Sequence, residues 1–140
     1  GMERLMGNYP LFDALIKFVN ETKYNGKALA HDAVIRHKLA ELQVEFEVGR
    51  LLIYKVFITM DEGRVPTVEA AMAKAYATAF EQRLANIAME ILGPYGLLWA
   101  GSKYTSFGSI AAHSYLGSKG YSLQAGSTEI LKNIIATRGL

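Results

Sequence analysis

Apolar residues recur at helical spacing along most of the chain. The clearest stretch runs from Asp32 to about Glu62, where Ile35, Leu39, Leu42, Phe46, Ile53, Val56 and Met60 follow one another at intervals of three, four or seven. That is one stripe of a long helix, with Asp32 placed to cap its start and Gly63 placed to end it in a left-handed conformation. Val34, Val44, Val48 and Leu51 widen the apolar face, so this helix is expected to touch more than one neighbour. Gly49, in its middle, costs about 1 kcal/mol relative to Ala; either the helix tolerates the loss or another backbone packs closely there. A second long helix opens at Pro66-Thr67, with Thr67 as its N-cap, and carries Val68, Met72, Ala75, Tyr76, Ala79, Phe80, Leu84, Ile87 and Ile91 to about Leu92. Alanines line one side of it and permit close approach, and Gly93-Pro94-Tyr95-Gly96 stops it.

Three shorter helices complete the pattern. One fits Pro10 to about Lys23, with Pro10 in the first turn, Leu11, Leu15, Phe18 and Val19 facing inward, and Asn25-Gly26 after it. The others fit Ser109 to Lys119 and Ser127 to Arg138, the last capped by Gly126 or Ser127. No period-two pattern persists and no internal repeat is visible. These elements predict an all-α, up-and-down four-helix bundle with an additional short helix, occupying residues 1–140 as a single domain.

Composition adds one anomaly. Apolar residues make up 51% of the 140 positions and charged residues 20%, against about 45–50% and about 25% in an average soluble domain. The excess predicts surface covered by something outside this chain. With 15 Lys and Arg against 13 Asp and Glu, the charges interspersed and no basic block, nothing points to nucleic acid or an anionic membrane surface. The greasiest run, Leu51 to Met60, is broken by Lys55 and is far short of a membrane span. The start lacks signal-peptide order, and Gly before Met reads as a remnant of cloning, so a cytoplasmic protein is expected. The chain has no cysteine, which excludes a disulfide scaffold and a thiolate nucleophile.

Candidate chemistry is sparse. His31 and His37 are six apart, on different sides of a helix, and His113 stands alone, so no metal site is expected. Glu41, Glu45 and Glu47 lack the Glu-x-x-His partner of a di-iron bundle and read as a solvated face. No phosphate loop, nucleophile elbow or dinucleotide fingerprint occurs. One segment does carry physics: Gln124-Ala125-Gly126-Ser127-Thr128-Glu129-Ile130 presents a glycine, hydroxyls and free backbone N–H groups at a helix start, where a polar ligand group can bind. A second candidate is the carboxylate and guanidinium pair Glu3-Arg4 at the chain's start.

Taken in order, Arg36-His37-Lys38-Leu39-Ala40-Glu41-Leu42 through Gly49-Arg50-Leu51-Leu52, then Ala88 to Gly96, then Ala125-Gly126-Ser127-Thr128-Glu129-Ile130 running into Ile134-Ile135-Ala136, resemble the C-terminal helical domain of the FAD-dependent acyl-CoA dehydrogenases. The resemblance covers nearly the whole chain but one of that family's three domains; the N-terminal helical domain and the middle β-domain are expected to be absent, and the isolated domain to be inactive. It implies α,β-dehydrogenation of an acyl-CoA thioester in the complete enzyme, with FAD contacts at Gly126, Ser127, Thr128 and Glu129. It also implies that Gly93 and Pro94 lie against the flavin of a neighbouring subunit, hence a homo-oligomer, either dimer or tetramer. Glu90 stands where many members have Gln. Many members place the catalytic base immediately before the signature's glycine, where this chain has Ala125. Others place it in a Glu-Arg pair at the first helix of the domain, which makes Glu3 the candidate base. Thr22 and Asn25 stand where relatives hold FAD with Arg and Phe, leaving Lys23 or Lys27 to supply charge. The competing reading is a helical oligomerisation or regulatory domain that kept the fold and lost the base.

Overall fold

A computed structural model describes residues 2–105 and 107–140, the side chains of Met2 and Glu3 lying outside the described set. The chain runs through α1 (Met2–Gly7), α2 (Tyr9–Glu21), the strands β1 (Lys23–Tyr24) and β2 (Lys27–Ala28), α3 (Ala33–Asp61), α4 (Thr67–Leu92), α5 (Ile110–Tyr121) and α6 (Thr128–Gly139). Single 3₁₀ turns occupy Leu29–His31, Gly93–Leu97 and Phe107–Ser109. The all-α bundle expected from the periodicity is present: α4 packs against α3, α5, α6 and α1, and so forms the axis of the domain.

The local signals explain most boundaries. The Asp32 carboxylate accepts from the N–H groups of Val34 and Ile35 at 2.9 and 3.0 Å, capping α3. At the other end Gly63 adopts φ +74°, and the Gly63 and Arg64 N–H groups donate to Met60 and Thr59 carbonyls, the paired closure that a left-handed residue makes possible. α4 differs from expectation at its start. Pro66 occupies the cap position and makes no side-chain cap bond, while Thr67 is already helical. Proline's fixed φ suits a helix entry without any side-chain acceptor.

Two elements were not anticipated. A helical turn, α1, precedes α2 with only Asn8 between them; Pro10, in the first turn of α2, lacks the N–H that would bond the Met6 carbonyl, so the two do not continue as one helix. Instead of simply ending a helix, Asn25 and Gly26 form the tip of a two-residue hairpin, with φ +51° and +79°, pairing Lys23 with Ala28 and Tyr24 with Lys27. Both central residues at positive φ is what a type I′ turn requires, and Asn-Gly supplies it.

The core joins Leu5, Leu11, Phe12, Leu15 and Val19 to Leu39, Leu42, Phe46 and Ile53 of α3, to Phe80, Leu84 and Leu92 of α4, and to Ala111 of α5. Phe46 is its centre, stacked on Phe12 at 6.4 Å between centroids and tilted against Phe80 at 5.9 Å. Each such ring contributes about 1.5–3 kcal/mol on burial. The α3 stripe departs from expectation near its end: Met60 is exposed and Thr59 is buried instead, its hydroxyl donating to the Lys55 carbonyl at 2.9 Å. Gly49 lies against the Leu5 side chain, not against a backbone. Val34, Val44, Val48 and Leu51 do not widen the core; all are exposed in this chain. At about 100° per residue, Val44, Val48, Leu51 and Ile58 fall on one line about 180° from Leu39, Leu42, Phe46 and Ile53, so α3 is apolar on two opposite sides and only one is covered.

Candidate functional site

The start of α6 is held from below. Lys74, on α4, donates its ammonium to the carbonyls of Gln124, Ala125 and Gly126 at 2.6, 3.1 and 2.5 Å. Burial, with Arg4 nearby, lowers the Lys74 pKa, but three carbonyl dipoles directed at one ammonium fix the loop in place. Ala125 takes φ +55° and Gly126 φ +105°, which turns the chain sharply into α6. Ser127 then caps the helix, accepting the Ile130 N–H at 3.5 Å. Thr128 and Glu129 occupy the first helical positions, whose N–H groups have no acceptor within the helix. The Ser127 hydroxyl and the residue's own N–H hold the exposed Glu129 carboxyl below its ordinary pKa, so it is ionised. An ionised carboxylate at this end accepts hydrogen bonds from donors and disfavours an anionic group.

Arg4 links the two ends of the chain. Its Nη2 donates to Gln124 Oε1 at 3.3 Å, and its guanidinium sits 3.3 Å from the centroid of the Tyr121 ring. The α1 start therefore lies beside the loop that carries Ala125. Glu3 belongs to α1, and its side chain is outside the described residues. Arg4 also lines a cleft of about 470 Å³ together with Asn8, Glu81, His113, Ser114 and Tyr121. Glu81 is 6% exposed, and its Oε2 has no hydrogen-bond partner among the described residues. Burial pushes its carboxyl above the ordinary value, against the opposing pull of Arg4 and of a hydrogen bond from Asn8.

Gly93 and Pro94 are exposed at the far end of α4, where Gly93 has φ +56°, and they border a groove shared with Met89, Glu90 and Leu97. Glu90 pairs with Lys38 of α3. Lys74 marks the level of the α6 start, and Gly93 stands 19 residues further along the same helix, about 28 Å at 1.5 Å per residue. The structure thus brings Gly126, Ser127, Thr128 and Glu129 together and keeps Gly93 and Pro94 apart from them within one chain. Thr22 follows α2, and Asn25, Lys23 and Lys27 all lie in the hairpin.

Comparison with known proteins settles what this arrangement belongs to. The acyl-CoA dehydrogenase C-terminal domain family matches residues 4–140. The chain belongs to the acyl-CoA dehydrogenase family. Glutaryl-CoA dehydrogenase of Desulfococcus multivorans is 37% identical over 125 residues, covering 89% of this chain and 30% of the relative. The solved glutaryl-CoA dehydrogenase in complex with glutaryl-CoA superposes with a TM-score of 0.83 at 34% identity, over 97% of this chain and 33% of that one. The FAD complex of PigA matches at 0.84 and 17% identity over 96% and 33%, a likeness of fold alone. The chain spans about a third of the length of the relatives it matches, and corresponds to the C-terminal domain of an acyl-CoA dehydrogenase. No helix of the described residues is long and apolar enough to cross a membrane.

Two features of this acyl-CoA dehydrogenase domain escaped the sequence reading. Glu81 falls on the buried line Ala77, Leu84, Ala88 of α4, where an isolated carboxylate among apolar positions is the available signal. Lys74 offered none, because its partners are backbone carbonyls of a loop 50 residues away.

Proposed function

We propose that this chain is the FAD-contacting and oligomerising domain of an enzyme that dehydrogenates acyl-CoA thioesters between the α and β carbons, inactive without the flavin-enclosing domains its relatives carry. The observation that carries the reading is the Arg4–Gln124 contact, which brings the α1 start to the loop before α6. The family's two alternative base positions, Glu3 and Ala125, come from opposite ends of the sequence, and the contact between their neighbours Arg4 and Gln124 supports assigning them to one site. With Ala125 unable to accept a proton, Glu3 is the group that removes the substrate's α-proton, and FAD when bound accepts the hydride from the β-carbon. A base at this position needs its pKa lifted toward neutrality, which burial beside the apolar acyl chain would supply.

On the cofactor side, the Gly126-Ser127-Thr128-Glu129 turn receives the adenosine portion of FAD, Glu129 accepting from its hydroxyl or amino groups. Gly93 and Pro94 serve a second copy of the site. Their separation of about 28 Å along α4 supports assigning them to a neighbouring subunit's flavin, and the bare apolar side of α3 supports a homo-oligomer. The reading places the protein in the cytoplasm. The test is to produce this chain together with the N-terminal helical and β-domains of its family and to record flavin absorbance and turnover of acyl-CoA esters. A flavin-loaded enzyme whose turnover falls at least about 100-fold in Glu3→Gln is expected; undiminished turnover in that variant removes Glu3 as the base.

A further inference from the structure

The cleft between α1, α4 and α5 contains a buried acid that neither the fold nor the proposed flavin contacts use. Its floor is the Glu81 carboxyl, almost fully buried, with Oε2 unpartnered among the described residues. Asn8, 4% exposed, lines the same floor and donates its Nδ2 to the Arg4 carbonyl at 2.6 Å, which ties the α1 end to the cleft. An unpartnered buried carboxyl oxygen carries a desolvation cost that a hydrogen-bond partner relieves. Above the acid stand the Arg4 guanidinium, only one of whose N–H groups reaches Gln124, and the exposed His113 ring.

We propose that this cleft binds a carboxylate group, held between the Arg4 guanidinium and the buried Glu81 carboxyl, with His113 at the rim. The chemistry is complementary. A carboxylate offers two acceptor oxygens, one for the planar guanidinium and one for the acid proton, and its charge faces a cation across a largely desolvated floor. A neutral ester or amide lacks the charge that Arg4 selects. At about 470 Å³ the cleft falls in the range of small-molecule sites. The carboxylate has two possible sources, a free acid or the far end of a dicarboxylic acyl group; only the second rests on the acyl-CoA reading.

The site can be tested on this chain without flavin, which separates its failure from failure of the proposed enzyme. Glutarate, its diamide and inorganic phosphate are titrated by calorimetry and by NMR of the His113 and Tyr121 rings. Glutarate should bind one to one, and the diamide should bind at least tenfold more weakly. Arg4→Gln should weaken glutarate at least tenfold. Glu81→Gln, which keeps a donor, should retain binding that Glu81→Leu loses, and a thermal melt of each variant reports whether it folds. Competition by glutaryl-CoA but not butyryl-CoA assigns the carboxylate to an acyl terminus; competition by neither assigns it to a free acid. No saturable glutarate binding to the wild type, equal affinity for the diamide, or preference for phosphate overturns the proposal.

Discussion

Leu5 and Gly49 are coupled tightly enough to be measured. A Cβ built on Gly49 would lie 2.7 Å from Leu5 Cδ1 and 2.9 Å from Cδ2, and Leu5 is fully buried, so its branch has no free volume to move into. Gly49→Ala should gain about 1 kcal/mol of helix propensity and lose about 1–3 kcal/mol to overpacking, leaving a net destabilisation of about 0–2 kcal/mol. Leu5→Ala removes buried methyl groups and should cost about 2–5 kcal/mol. In the double variant the methyl introduced by Gly49→Ala enters the space that the Leu5 branch vacated, so the clash vanishes and the propensity gain remains. The double variant should therefore be more stable than Leu5→Ala by about 1 kcal/mol or more, a coupling of about 1–3 kcal/mol. Urea unfolding followed by helical circular dichroism, with the four m-values compared, measures this cycle. Additivity within about 0.5 kcal/mol would refute the contact between α1 and α3.

Two further outcomes follow from the site. Because burial raises the Glu81 pKa in the fold, the folded state holds that proton more tightly than the unfolded chain; stability is full below the ordinary value of 4.5 and declines as pH rises through it toward the folded value. Glu81→Gln should accordingly gain on the wild type as pH rises above that point and show no gain below it, and a pH-independent difference would contradict the assignment. Lys74→Met removes the donor to three loop carbonyls and should destabilise by about 1–3 kcal/mol, with hydrogen exchange accelerated first at the α6 start; uniform acceleration across the domain would deny the loop its dependence on Lys74.

Much of the fold was legible because periodicity and caps agree. Asp32, Gly63, Gly93 and Ser127 each mark a boundary through a chemistry that needs only neighbouring residues. What escaped depends on distance or on competition. Thr67 has the right side chain for a cap, yet Pro66 takes the position. Asn25-Gly26 reads equally as a helix stop and a hairpin tip, and pairing of strands two residues long decides it. Val44, Val48 and Leu51 looked like core because periodicity reports apolarity without saying which side of a helix is covered. The α6 turn was readable from Gly126 and Ser127, whereas the Glu81 cleft needed α1, α4 and α5 to be in place before a charge on an apolar line acquired neighbours.

The loop before α6 owes its shape to an ammonium on another helix. Ala125 sits at φ +55°, a conformation its methyl does not favour, and the turn persists because Lys74 holds the backbone on either side. The side chain at position 125 is thus ornamental to the architecture. Evolution could trade that residue's reactivity away, or restore it, without redrawing the turn, which makes the position a replaceable fitting on a permanent mount.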